Sequence, residues 1–142
     1  MVRMRFLFAI LPFLVLFPFS GVDAQCGLIA NACDPHLKNF ISDGQTYRAL
    51  LRGDQTAEFR TTLFEGTTYR IAACSDTSAS GNLIFTVRDK ERNKLFSNAD
   101  HGVAPYWNFE VPHTMDVIID AKLAPSSGRA SGCAVLLVGF KE

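Results

Sequence analysis

From Tyr47 almost to the end of the chain, apolar side chains recur at every second position, in short runs separated by turn residues. A strand turns successive side chains to opposite faces, so this period builds half-buried sheets rather than packed helices. Tyr47, Ala49 and Leu51 alternate with Arg48, Leu50 and Arg52; Gly53, Asp54 and Gln55 then make a turn. Ala57, Phe59, Thr61 and Leu63 form the next inward face, and Glu65 and Gly66 turn the chain again. Tyr69, Ile71 and Ala73 follow, then a polar loop at 75–82, then Leu83, Phe85 and Val87. After a charged turn at 89–93 and the short run 94–96, Trp107, Phe109 and Val111 share one parity, as do Met115, Val117, Ile119 and Ala121. A second loop spans 125–132. Residues 133–140 are apolar on both faces, as a central strand would be. Seven or eight short strands at this spacing predict an all-β chain, an antiparallel β-sandwich or jelly roll. With no second long helical segment, a parallel α/β fold is excluded.

The first 24 residues follow a different rule. Arg3 and Arg5 precede a charge-free apolar run at 6–19, and Val22 and Ala24 stand at the −3 and −1 positions of a small-residue cleavage site. This is the layout of a secretory signal peptide, with cleavage expected after Ala24. A retained membrane anchor is the alternative, but the run is shorter than the roughly 20 residues needed to span and carries Pro12 and Pro18. Acylation at Cys26 is disfavoured by the Ala24 and Gln25 that precede it. The full chain balances 14 basic against 14 acidic residues; removal of 1–24 leaves 118 residues with 12 basic and 13 acidic. Such a balance lacks the basic face a nucleic-acid binder needs. No membrane span remains after signal cleavage, so the expected location is secreted or periplasmic.

All four cysteines lie in the exported part, where an even count reads as two disulfides, Cys26, Cys33, Cys74 and Cys133 allowing three pairings. Proximity in the chain favours 26–33, closing an N-terminal loop, with 74–133 joining neighbouring strands. Asp34 as N-cap, Pro35 at the first helical position, and Leu37, Phe40 and Ile41 at helical spacing predict a short helix ending at Gly44. The expected organisation is therefore signal peptide 1–24, cysteine loop and short helix 25–45, and β-sandwich 46–142.

Chemistry is sparse. His36, His101 and His113 show no metal-ligand spacing, and no cofactor motif or catalytic constellation stands out. Asp116 and Asp120 share a strand face about 13 Å apart, too far for a paired-carboxylate hydrolase. Arg52-Gly53-Asp54 forms an adhesion-type tripeptide, but these are ordinary turn formers placed at a turn. The stretch 100–107 is the most suggestive: His101 and Tyr106, with His113 beyond, make a candidate binding surface, while Trp107 shares core parity with Phe109.

Gly66-Thr67-Thr68-Tyr69-Arg70-Ile71, the strand-and-turn Phe85-Thr86-Val87-Arg88-Asp89 and the closing apolar strand 132–140 together resemble the bacterial pre-peptidase C-terminal type of secreted jelly-roll domain. The resemblance spans about residues 59–140; Cys74 and Cys133, and the lack of an attached protease, depart from it. It implies a non-catalytic accessory role. The expected function is a non-catalytic protein or glycan binder. The alternative is an inhibitor or immunity protein against an extracellular or cell-wall hydrolase, presenting a rigid loop such as 75–82 or 125–132.

Overall fold

The computed structural model describes residues 22–76, 82–125, 128 and 131–142. A helix, α1 (Val22–Cys33), leads through a single 3-10 turn (Asp34–Leu37) into eight strands. These are β1 (Ile41–Arg52), β2 (Thr56–Leu63), β3 (Thr68–Cys74), β4 (Leu83–Asp89), β5 (Lys94–Ser97), β6 (Tyr106–Glu110), β7 (Met115–Leu123) and β8 (Ser131–Lys141). A second 3-10 turn (Asn98–His101) joins β5 towards β6. β1 pairs with β8, β2 with β7, β3 with β6 and β4 with β5, all antiparallel. The chain is thus one long two-stranded ribbon whose tip is the turn at 89–93. Winding that ribbon brings β3 against β8 and β4 against β7, giving two sheets ordered β1-β8-β3-β6 and β2-β7-β4-β5. This is an eight-stranded jelly roll.

The alternation dictates the core. Leu51, Tyr69, Ile71, Ala73, Leu136 and Val138 from the first sheet meet Leu63, Phe85, Val87, Val117, Ile119 and Ala121 from the second. Tyr47, Ala49, Phe59, Trp107 and Phe109 pack around them. Phe96 on the edge strand β5 lies 5.1 Å from the Trp107 ring and 5.0 Å from that of Phe109, bridging the β5 and β6 edges of the two sheets.

β8 is apolar on both faces because its second face is covered too. Cys26, Ile29, Ala30 and Cys33 form one stripe of α1 and pack on Ala72, Cys74, Cys133, Val135 and Leu137. The stripe is bolted at both ends, by Cys26–Cys133 and Cys33–Cys74. The expected pairing 26–33 and 74–133 is therefore corrected. Seven helical residues separate Cys26 from Cys33 by about 10 Å, beyond the reach of a disulfide. Cys74 lies opposite Val135 in the register, so Cys133 is its diagonal neighbour, at about 7–8 Å, and not its partner.

The helix expected from Asp34 to Gly44 is corrected as well. Only the 3-10 turn Asp34–Leu37 forms; Asn39 takes a left-handed φ of 71° and breaks the run. Gly44 is no cap. It sits at φ 82° in an irregularity of β1 between Ser42 and Thr46, where Ser42 and Asp43 side chains accept bonds from the Gly44 and Gln45 amides. Leu37 and Phe40 serve instead as a lid over β8. Most of the predicted leader, residues 1–21, and most of the two candidate loops, 77–81, 126–127 and 129–130, lie outside the described residues. Among the described residues no helix is long and apolar enough to cross a membrane.

Candidate functional site

Beyond the end of α1, the outer face of the first sheet carries a cluster of aromatic and cationic side chains. Cross-strand register assembles it: Arg70 on β3 stands opposite Asn108 on β6, and Ala72 opposite Tyr106, so Arg70, Asn108 and Tyr106 all point outward. On the other side Arg70 opposes Gly139 of β8. A Cβ there would come within 2.9 Å of the Phe40 Cβ and 3.1 Å of a Leu37 methyl, so glycine is what lets the segment after the 3-10 turn lie on the sheet.

The result is a guanidinium held between two rings. Arg70 Cζ lies 4.3 Å from the Phe40 centroid and 4.4 Å from that of Tyr106. Its Nε donates to Asn108 Oδ1 at 2.7 Å and its Nη1 to the His36 carbonyl at 3.0 Å. The His36 ring is 5.5 Å from Tyr106, and Lys141 Nζ is 5.0 Å from the Phe40 ring. Such contacts order a side chain that is otherwise among the most costly to immobilise. Tyr106 remains 39% exposed.

Burial, and after it the positive charge of Arg70, hold the His36 imidazole below its ordinary 6.5. The folded state therefore binds this proton more weakly than the unfolded chain. Stability from this source is complete above about pH 6.5 and declines as pH falls through that value towards the lower folded one. Acidification is expected to lower the melting temperature of the wild type more than that of His36→Gln. Thermal unfolding at about pH 7.5 and 5.5 checks this; equal losses would clear His36 of the effect.

The structure divides the residues singled out from sequence. Tyr106 belongs to the cluster. Trp107 points to the opposite side, into the core, as its parity implied. His101 stacks 4.3 Å from Trp107 and 5.3 Å from Phe96, at the open edge of the sandwich. Residues Ala104, Pro105, Tyr106, Trp107 and Asn108 line an open concavity of about 600 Å³ along this edge. His113 stands exposed in the turn between β6 and β7, at the far end of β6 from Tyr106, and joins neither group. Arg70, Phe40, His36, Asn108 and Lys141 were missed. Outward parity with Tyr106 marks Asn108, but recognising Arg70 needs the register between β3 and β6.

The outer face of the second sheet looks different, because its arginines are paired with carboxylates. Arg88 pairs with Asp120 at 2.7 Å, and Glu58 with Arg60 and Arg92 at 2.7 and 3.0 Å. Arg92 first, then Arg60, hold the Glu58 carboxyl below its usual range. Asp116 accepts from the Thr62 hydroxyl at 2.7 Å, so the two carboxylates of β7 are engaged separately. Arg52, Gly53 and Asp54 form the exposed β1–β2 turn, where the Gln55 amide donates to the Arg52 carbonyl. Among the described residues no three His, Cys, Asp or Glu gather as a metal site.

No protein-family model and no curated protein matches the chain. Among solved structures, the chain is similar to Aeromonas hydrophila PliG, a periplasmic lysozyme inhibitor of g-type lysozyme. The superposition has a TM-score of 0.51 and covers 73% of this chain and 90% of PliG, at 17% identity. The two share a fold. At that identity the likeness to PliG extends to the β framework and not to individual residues. Disulfides that tie α1 to the sheet belong to an oxidising setting.

Proposed function

We propose that this chain is an exported, non-catalytic jelly roll that binds and inhibits a lysozyme-class cell-wall hydrolase. The observation that carries the reading is the fold shared with PliG over most of both chains. The arrangement of groups agrees with it. Carboxylates on the second sheet are engaged with arginine or threonine partners, while the first sheet presents an ordered aromatic and cationic surface of the composition favoured at protein interfaces. The pre-peptidase C-terminal resemblance of residues 59–140 belongs to the same proposal only for its non-catalytic part, since those domains are accessory modules usually appended to exported hydrolases.

The test is a turbidity assay of cell-wall lysis by g-type lysozyme and by lysozymes of other types, with the full chain expressed behind its own leader and purified oxidised. Inhibition is expected to be complete at about one inhibitor per enzyme. Unchanged lysis by every enzyme, at a large excess of the protein, would overturn the inhibitor reading in favour of a protein- or glycan-binding module with another target.

A further inference from the structure

Arg70 differs from the arginines of the second sheet in having no acidic partner among the described residues. Arg60, Arg88 and Arg92 are each ion-paired, whereas no described carboxylate lies within salt-bridge distance of Arg70. Glu110 shares its outward face but stands one cross-strand step away, opposite Thr68. The other charged or titratable neighbours, Lys141 and His36, are cationic or neutral. Within the guanidinium, Nε and Nη1 are occupied by Asn108 and the His36 carbonyl. Nη2 bonds to no described residue and is not among the buried unpartnered atoms, so it is not sealed from solvent.

A fixed, planar cation with an unengaged Nη2 is the geometry that takes a carboxylate through charge-assisted bonds to that nitrogen. The rings of Phe40 and Tyr106 hold the plane, so little side-chain entropy is left to lose on binding. Lys141, with Nζ 5.0 Å from the Phe40 ring centroid, adds a second positive charge to the same surface. We infer that the outer face of the first sheet is the docking surface for a protein partner, and that Arg70 receives an aspartate or glutamate side chain from it. This rests on the inhibitor reading for the identity of the partner, but not for the chemistry of the site.

Two measurements separate the two claims. In the first, the ¹⁵N-labelled protein is titrated with a capped Gly-Glu-Gly peptide and, as control, Gly-Gln-Gly. The Arg70 Nε–H signal, protected by its bond to Asn108, is expected to shift saturably with the Glu peptide alone and to return on adding salt. No shift, or the same shift with both peptides, overturns the site. In the second, inhibition constants against the lysozyme that the wild type blocks are compared for Arg70→Gln and Arg70→Lys. Arg70→Gln is expected to weaken inhibition at least about tenfold, and Arg70→Lys by an intermediate factor because a lysine keeps charge but loses the planar fork. Wild-type inhibition by Arg70→Gln overturns the inference and leaves the inhibitor reading intact. If the wild type inhibits no lysozyme, that reading falls, and the peptide titration alone decides the carboxylate site.

Discussion

Replacing Cys26 and Cys133 together by serine is expected to lower the unfolding free energy by about 4 kcal/mol while leaving the sandwich folded. The bridge closes 107 residues of separation, most of the described residues, and the chain-entropy model gives about 4–5 kcal/mol for a loop of that size. The Cys33–Cys74 bridge closes 41 residues inside the first loop, and its removal is expected to cost slightly less, about 3–4 kcal/mol. Removing both bridges brings a second effect. A twelve-residue helix is marginal in water, and α1 docks through a narrow stripe of two cysteines, Ile29 and Ala30. Without either bridge α1 is expected to leave the sheet and expose Ala72, Val135 and Leu137, giving dye binding and aggregation before global unfolding. Guanidinium unfolding of each variant measures the first effect, and hydrogen exchange in α1 the second. A loss below about 1 kcal/mol for the Cys26 and Cys133 pair would show that packing alone seats the helix.

The β framework was legible because each strand buries one face. That leaves period-two patterns such as Phe59, Thr61, Leu63 and Val117, Ile119, Ala121, which a register slip would turn to solvent. The double-sided strand β8 was readable for the same reason, but what covered its second face was not. The clue existed: Cys26, Ile29, Ala30 and Cys33 stand at i, i+3, i+4 and i+7, a helical stripe. Gly27 within the stripe and the closeness of the two cysteines favour a loop reading instead. Leu37, Phe40 and Ile41 mislead in the opposite sense, with helical spacing serving a lid: Leu37 and Phe40 lie against Gly139 while Ile41 is exposed. Tyr106 was identified from the aromatic character of the 100–107 stretch and its parity opposite to Trp107. Arg70 was out of reach, since its surroundings come from β6, β8 and the segment before β1, which only the three-dimensional register unites.

Asn98 was hidden too, because Ser-Asn-Ala-Asp-His-Gly reads as solvent-exposed turn chemistry. In the fold its side chain is fully buried. β5 ends at Ser97, opposite Thr86, while β4 continues back to Leu83 and would present an unpaired edge. The Asn98 amide takes the place of the missing strand: Phe85 N–H donates to Oδ1, and Nδ2 donates to the carbonyls of Leu83 and Ala104, each at 2.9 Å. Its own carbonyl accepts from Val103 at 2.9 Å, holding a β-branched residue at φ 53°, a backbone region such residues rarely occupy. One side chain therefore completes the sheet edge and positions the loop that carries His101 and leads into Tyr106. Asn98→Ala is expected to destabilise the protein by about 3 kcal/mol, since it strands two buried main-chain groups and a part-buried third at roughly 1–3 kcal/mol each, less what entering water recovers. Asn98→Leu, which fills the space without bonding, is expected to be no better, whereas a packing role would be rescued by it. Denaturant unfolding of both variants gives the magnitudes, and faster hydrogen exchange at the Phe85 amide localises the loss. Rescue by leucine, or a loss under about 1 kcal/mol for alanine, would show that solvent replaces these bonds and that the edge of β4 tolerates being open.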